Sequence, residues 1–188
     1  MSGEAACRRA GPEAFSEDVI VNADGTMRNV YVHIVSGLGT RVFAPPRAPA
    51  EMDQERCLFV PHVLAAQTGQ VIVFKNSDTA VHNVRAIARA NPTFNVSMSG
   101  QGRSLRRYFP KAEVVRIKCD IHAWMGASIA VDDSPFHAIT GDGGAFSLTG
   151  LPAGTYVVEA WHETLGTTRQ TVSLADGGRG ALEFSFGR

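Results

Sequence analysis

Three residues that suit soft metal ions lie in one short segment, between two predicted strands. Cys119, His122 and Met125 offer a thiolate, an imidazole and a thioether. A loop this short can turn all three side chains toward one point. Because sulfur and imidazole ligands suit soft transition-metal ions, the segment predicts a site for a soft, redox-active ion.

The missing ligand is expected from a different strand. His82 follows a predicted strand that ends in the turn sequence Asn76-Ser77-Asp78. Two imidazoles and one thiolate in a plane, with a weak axial thioether, form the ligand set of blue-copper electron-transfer centres. The sequence therefore predicts one type-1 copper ion at His82, Cys119, His122 and Met125.

The order and spacing of these residues resemble the cupredoxin family. His82-Asn83-Val84 is similar to the first ligand segment of that family, and the Cys-x2-His-x2-Met spacing of 119–125 is similar to amicyanin and pseudoazurin-like loops. The resemblance covers residues 57–131. It implies a Greek-key sandwich with His82, Cys119 and His122 as equatorial ligands and Met125 as the axial one. It also implies that electrons leave through the solvent-facing edge of His122.

The elements that must position these ligands are β-strands. Apolar and β-branched residues occur in short runs, often alternate with polar residues, and are separated by turn residues. The predicted strands cover 30–35, 69–74, 114–118, 127–131, 145–148, 156–161, 167–174 and 181–186. This pattern predicts an all-β chain. Two segments, 37–56 and 91–107, are expected to be irregular because the first holds three prolines and the second is polar and rich in Gly and Ser.

A second group of strands resembles the carboxypeptidase regulatory-like or transthyretin-like β-module. The resemblance rests on Thr140-Gly-Asp-Gly-Gly-Ala-Phe146 and on Leu151-Pro-Ala-Gly-Thr-Tyr156, where Gly and Pro favour tight turns. It implies no catalytic residue. We expect a loose tail at 1–16, a cupredoxin domain at 17–133 completed by strands at 17–35, and the small module at 134–188, which borrows the strand at 127–131.

Three cysteines leave at least one thiol outside any disulfide within the chain. With Cys119 as the ligand that the resemblance implies, Cys7 and Cys57 remain, and they can form a disulfide in an oxidising compartment. A second metal site at Cys57 and His62 is the alternative. A buried or disulfide-bonded Cys57 and a hydrogen-bonded His62 are favoured over it.

The charges of the chain are balanced in total but not along its length. Eighteen Lys and Arg match eighteen Asp and Glu, which gives no reason to expect nucleic acid or an anionic membrane as partner. Residues 84–118 nevertheless carry eight basic side chains and one acid, Glu113. An acidic redox protein is therefore expected to dock near this stretch.

The predicted function is the transfer of single electrons between redox partners, without a catalytic residue. A copper carrier or storage protein and a small-molecule-binding enzyme of the red-copper type are the alternatives, and Met125 disfavours the second. No apolar run reaches the roughly 20 residues of a transmembrane helix. The first residues lack the apolar core of a secretory signal, yet the copper assignment favours a periplasmic or otherwise exported protein. The oligomeric state stays open.

Overall fold

The computed structural model describes Cys7 and residues 19–187, and the regular elements within 19–187 are β-strands. In chain order they are β1 (Tyr31–Ser36), β2 (Ala50–Glu55), β3 (Leu58–Val60), β4 (Val63–Gln67), β5 (Ile72–Asn76), β6 (Val81–Ile87), β7 (Phe94–Ser99), β8 (Arg103–Arg107), β9 (Glu113–Lys118), β10 (Gly126–Asp132), β11 (His137–Ile139), β12 (Gly154–His162) and β13 (Gly166–Leu174). The predicted all-β class is confirmed. In the described part of the chain, no helix has the length and apolar character needed to cross a membrane.

The chain divides into two units, each with its own hydrophobic core. The first unit includes Ala44–Asp133, and the second joins Asp18–Phe43 to Ser134–Arg188. The first contains a five-stranded sheet in the order β4-β10-β9-β6-β7 and a four-stranded sheet in the order β3-β2-β5-β8. Buried residues from both sheets share one core, so the first unit is a β-sandwich.

Alternating hydrophobicity explains how β9 lies in this sandwich. Val115 and Ile117 are fully buried, whereas Val114 and Arg116 are exposed. Successive side chains of a strand point to opposite faces of its sheet, so one face of β9 packs on the core. The next strand, β10, pairs with β4 and β9 and is buried along almost its whole length.

The pairing of β6 with β9 sets the position of the predicted ligands. The two strands are antiparallel, with Arg85 opposite Lys118. Antiparallel pairing places the start of β6 beside the end of β9. His82 is the second residue of β6, and Cys119 directly follows the end of β9. The fold therefore brings both ligand segments to one end of the sandwich.

The second unit takes a strand that the sequence analysis assigned to the first. β1 does not complete the sandwich; it pairs with β11 and β12 in a sheet of order β11-β1-β12-β13. Val32 and Ile34 of β1 pack with Tyr156 and Val158 of β12, which explains this placement. The expected use of the strand at 127–131 by this unit is also wrong, since that segment belongs to β10 of the sandwich.

The two segments expected to be irregular contain strands. Residues 91–107 include β7 and β8, and residues 37–56 include β2. β7 and β8 are both edge strands, and their outward side chains are polar, so their composition is similar to that of a loop. Apart from Cys7, the predicted tail at 1–16 lies outside the described residues.

Two predicted strands of the second unit are not strands in the structure. Segments 145–148 and 181–186 have no strand pairing, although Phe146, Leu148 and Phe184 pack against the core of that unit. Their apolar residues therefore contribute burial without the backbone hydrogen bonds of a sheet. Sequence patterning detects the burial and does not distinguish it from pairing.

Candidate metal centre

The structure brings two imidazoles and one thiol together at the end of the sandwich. Nδ1 of His82 lies 3.0 Å from Nδ1 of His122, and Sγ of Cys119 lies 3.8 Å from the same His122 nitrogen. All three side chains are buried, so the expectation that His122 presents a solvent-facing edge is wrong for this structure. Ligand atoms that share one first-row metal ion at roughly 2.0–2.3 Å lie within about 4 Å of each other. Both separations lie within this range, and Cys119 is also hydrogen-bonded to His82, so the three side chains could hold a single ion.

Met125, the fourth predicted ligand, closes the same loop and is fully buried. Its backbone N–H donates to the carbonyl of His122 at 3.0 Å, and its carbonyl accepts the N–H of Cys119 at 3.1 Å. These bonds fold 119–125 into a compact turn. A thiolate, two imidazoles and a thioether form a soft set of ligands, which suits copper better than magnesium or calcium.

Asn83 connects the two ligand segments, and sequence reasoning did not identify it. Its Oδ1 accepts the N–H of Asp120 at 2.6 Å, and its own backbone N–H donates to the sulfur of Cys119. The backbone carbonyl of Asn83 accepts a hydrogen bond of 3.0 Å from the buried amide of Gln54. The position of Asn83 directly after a predicted ligand was the available signal.

Asp78 holds the outer nitrogen of the His82 ring. Its Oδ2 lies 2.9 Å from Nε2 of His82. The same carboxylate accepts the backbone N–H groups of Arg56 at 2.7 Å and Cys57 at 2.8 Å, two residues with left-handed φ angles of 53° and 60°. Asp78 thus fixes the ring and leaves Nδ1 facing His122, as carboxylates do for metal-binding histidines. From the sequence, a turn cap was favoured for Asp78 over a contact that orients a ligand, and in the structure its carboxylate makes both kinds of contact.

The surroundings of Cys119 favour its thiolate. Burial acts to raise the pKa of the thiol, but a hydrogen bond with His82 and the backbone N–H groups of Asn83, His122 and Ile121 outweigh burial and hold the pKa below its ordinary value of 9.0. Burial acts to lower the pKa of His82, but contacts with Cys119 and Asp78 raise it above 6.5. Since the thiolate is the form that binds metals, the site supports metal binding at Cys119.

Cys57 forms a disulfide with Cys7, and both residues are buried. Among the described residues, Cys119 is the free cysteine. The disulfide removes Cys57 as a thiolate, so the alternative metal site at Cys57 and His62 is wrong for this form of the protein. His62 is buried, and its carbonyl accepts the N–H of Ser128 at 2.9 Å.

The surface beside the site is partly apolar and partly charged. Trp124 and Ile121, in the segment 119–125 that we call the ligand loop, are 46% and 51% exposed. The Trp124 Nε1–H donates to the carbonyl of Cys57 at 3.0 Å, and its ring centroid is 5.2 Å from that of His122. Arg85 lies 3.2 Å from Asp120 and holds the pKa of that carboxyl below its usual range. The loop therefore offers both apolar and charged contacts near His122.

Comparisons with known proteins gave structural matches only. No family model and no curated protein sequence matches the chain. A Cu-containing nitrite reductase (NirK) from Thermus scotoductus SA-01 is 23% identical, with a TM-score of 0.44; the match covers 54% of this chain and 25% of the reductase. A purple cupredoxin from Nitrosopumilus maritimus is 19% identical, with a TM-score of 0.39, over 44% of this chain and 99% of that one. A mutant of amicyanin in the Cu(I) state is 17% identical, with a TM-score of 0.41, over 54% of this chain and 98% of that one.

Proposed function

We propose that the first unit binds one type-1 copper ion and transfers single electrons. His82, Cys119 and His122 are the strong ligands, and Met125 is the weak axial ligand. The observation that carries this proposal is the approach of His82 Nδ1 and Cys119 Sγ to His122 Nδ1, at 3.0 Å and 3.8 Å. Copper held there would supply a one-electron couple between Cu(II) and Cu(I).

The chain contributes ligands that are held in place before any metal binds. Asp78 fixes the ring of His82, and Asn83 joins the segment of His82 to that of Cys119. The β-sandwich supports both segments through the pairing of β6 with β9. Ligands that need little rearrangement between two oxidation states suit electron transfer, because each rearrangement adds to the barrier of the transfer.

We further propose that a redox partner docks at the ligand loop, near His122. Trp124 and Ile121 provide exposed apolar area, and Arg85 and Arg116 are exposed on the outer face of β6 and β9. An acidic partner fits these basic side chains, since complementary charges speed association and select orientation. We expect its binding to weaken as ionic strength rises.

An exported location fits the same proposal. Cys7 and Cys57 form a disulfide, and such bonds persist mainly in oxidising compartments such as the periplasm. For the second unit, we propose a transthyretin-like module that takes no part in the copper chemistry. The hydroxyl of Tyr156 donates to the carbonyl of Pro152 at 2.9 Å, and Gly150 has a left-handed φ of 78°; together they support the predicted turn.

The optical and EPR spectra of the Cu(II) form test the proposal. We expect an intense visible band from charge transfer between the Cys119 thiolate and copper, and we expect Cys119→Ser to abolish it. His137→Gln is the matched control, because His137 lies in the second unit and bonds to the carbonyl of Ser134. A colourless copper form, or a band that survives in Cys119→Ser, would overturn the type-1 assignment.

Redox kinetics and ligand binding distinguish the two alternatives. A carrier or storage protein would bind Cu(I) very tightly and exchange electrons slowly. A red-copper enzyme would change its copper spectrum when a small molecule binds. Fast electron exchange, with a spectrum that azide does not change, supports the electron-transfer proposal against both.

A further inference from the structure

The Cys7–Cys57 disulfide lies directly beside the proposed copper ligands. Potential ligand atoms of Cys7, His82 and His122 all lie within 4.8 Å of one another, and those of Cys57, Asp78 and His82 do so as well. Cys7, Cys57 and both histidines are buried. The two imidazoles that face Cys119 are therefore also close to a second sulfur, which the disulfide keeps from acting as a thiolate.

We propose that reduction of this disulfide creates a thiol-rich Cu(I) site, in which Cys7 binds together with His82 and His122 and Cys57 adds a second thiolate next to His82. This site shares both imidazoles with the proposed electron-transfer centre, but it does not require Cys119. It adds a second mode of metal binding, which depends on the redox state of the protein.

Reduction requires a dithiol reductant. The Sγ–Sγ bond breaks, each of the two sulfurs takes up one electron and one proton, and the dithiol loses two electrons and two protons as it closes to its own disulfide. Binding of Cu(I) then releases the thiol protons to solvent. Thiolates are preferred ligands of Cu(I), so two new thiols beside two imidazoles are expected to retain the ion.

The distances allow this change with small movements. A metal ion bound to sulfur at about 2.3 Å and to nitrogen at about 2.0 Å in a trigonal arrangement places those two atoms about 3.7 Å apart. The upper limit of 4.8 Å in the disulfide form therefore requires the atoms to approach by up to about 1 Å. Once the bond is broken, the side chains of Cys7 and Cys57 can rotate independently.

The oxidised and reduced forms are then expected to treat copper differently. With the disulfide intact, Cys119 supplies the thiolate. After reduction, Cys7 competes with Cys119 for an ion between the same two imidazoles, and Cys57 adds to the sulfur ligands. The reduced protein therefore retains Cu(I) and exchanges electrons poorly.

Anaerobic competition with a chromophoric Cu(I) chelator tests this inference on the full chain. One sample keeps the disulfide, and the other is treated with a dithiol that is then removed by gel filtration under nitrogen. We expect Cu(I) to bind at least tenfold more tightly to the reduced sample. X-ray absorption is expected to detect at least one additional sulfur bound to copper in that sample.

Two variants separate this site from the electron-transfer centre. Cys119→Ser is expected to keep the gain in Cu(I) affinity on reduction, although it loses the visible Cu(II) band. The double variant Cys7→Ser and Cys57→Ser is expected to lose the gain after the same dithiol treatment. Loss of the band alone tests only the proposed function, so the two proposals can fail separately.

Equal Cu(I) affinity and equal sulfur coordination in the two wild-type samples would overturn the inference. A gain that persists in a folded double variant would overturn it too. If the double variant does not fold, the X-ray absorption comparison of the two wild-type samples decides alone. Circular dichroism is recorded in parallel, and a gain that occurs only when the β-sheet signal is lost also counts against the inference.

Discussion

The carboxylate of Asp78 contacts the imidazole of His82 and accepts the backbone N–H groups of Arg56 and Cys57, which follow β2. Asp78→Asn keeps the size of the side chain but removes its charge and one acceptor. We expect the free energy of unfolding to fall by about 1–3 kcal/mol, because hydrogen bonds to charged groups are lost. We also expect copper affinity to fall about 10–100-fold, because the ring of His82 is no longer fixed. Denaturant unfolding and competition with a copper chelator measure the two effects.

Asp53→Asn is the matched control for this variant. Asp53 accepts the backbone N–H of Ser77 at 3.1 Å and its hydroxyl at 2.6 Å, so it also bonds a neighbouring segment, but these bonds go to Ser77 and not to a predicted ligand. We expect a similar loss of stability and little change in copper affinity. Equal losses of copper affinity in the two variants would show that Asp78 acts only through general stability.

Met125 and Met52 allow packing and metal binding to be separated. Both are fully buried, but only Met125 belongs to the ligand loop. Replacement by Leu conserves volume, so each variant is expected to lose less than about 1.5 kcal/mol of stability. Met125→Leu is expected to raise the reduction potential of the copper form, because an axial thioether donates electron density to Cu(II). Voltammetry measures this shift, and an equal shift in Met52→Leu would contradict the axial role of Met125.

At the level of elements, Glu113 at the start of β9 holds the segment that follows β6. Its carboxylate accepts the backbone N–H groups of Arg89, Ala90 and Asn91 at 2.8–3.0 Å. Partial burial acts to raise the pKa of Glu113, but these bonds and the side chain of Asn91 outweigh it and lower the pKa below 4.5. The carboxylate form therefore stabilises the connection between β6 and β7.

Glu113→Gln is expected to lower the free energy of unfolding by about 1 kcal/mol at pH 7, after allowance for solvent screening. Because the pKa is lower in the folded protein, this stabilisation is present above pH 4.5 and is lost as the pH falls through the lowered folded value. Denaturant unfolding should show the wild type and the variant converging at acidic pH. Glu51→Gln, which breaks the exposed pair with Lys75, is the control with little effect. A difference that persists unchanged in acid would contradict this role.

Alternation of apolar residues predicted β9, β10 and β12 inside their sheets and β13 at an edge, but it missed β2 and β6 inside sheets as well as the edge strands β7 and β8. β9, β10 and β12 have enough buried apolar positions to stand out from the sequence. In β7, Phe94, Val96 and Met98 also alternate with polar residues, but Gly and Ser nearby favoured a loop. The partner of β1 was not predictable from β1 itself, because an apolar face can pack in either core.

The same limit applies to the candidate site. Residue types and spacing selected His82, Cys119, His122 and Met125, since metal chemistry restricts which side chains can act. The bonds of Asn83 were not identified, and a turn cap was favoured for Asp78 over a contact that orients a ligand, because amides and carboxylates are common in turns for many reasons. The proximity of Cys7 to His82 depends on how the chain folds around the site, so it could not be predicted from their spacing along the sequence.

At the level of the whole molecule, each unit has its own hydrophobic core, so we expect the thermal unfolding of the two units to respond differently to copper. The core of the first unit surrounds the ligand segments, whereas the core of the second is built from β1, β12 and neighbouring loops. Copper binds only the folded first unit in our proposal. Excess copper at a thousand times its dissociation constant would stabilise that unit by about 4 kcal/mol. Calorimetry is therefore expected to show two transitions, of which copper raises only one.

Core variants identify which transition belongs to which unit. Val158→Ala removes buried methyl groups from the second core and is expected to cost that unit about 2 kcal/mol, while Ile117→Val is expected to cost the first unit about 1 kcal/mol. The transition that Ile117→Val lowers should be the one that copper raises, because both changes act on the sandwich. Val158→Ala should lower the other transition and leave the visible band of the copper form unchanged. If copper raises the transition that Val158→Ala lowers, the metal stabilises the second unit as well, and confinement of the copper chemistry to the sandwich is wrong.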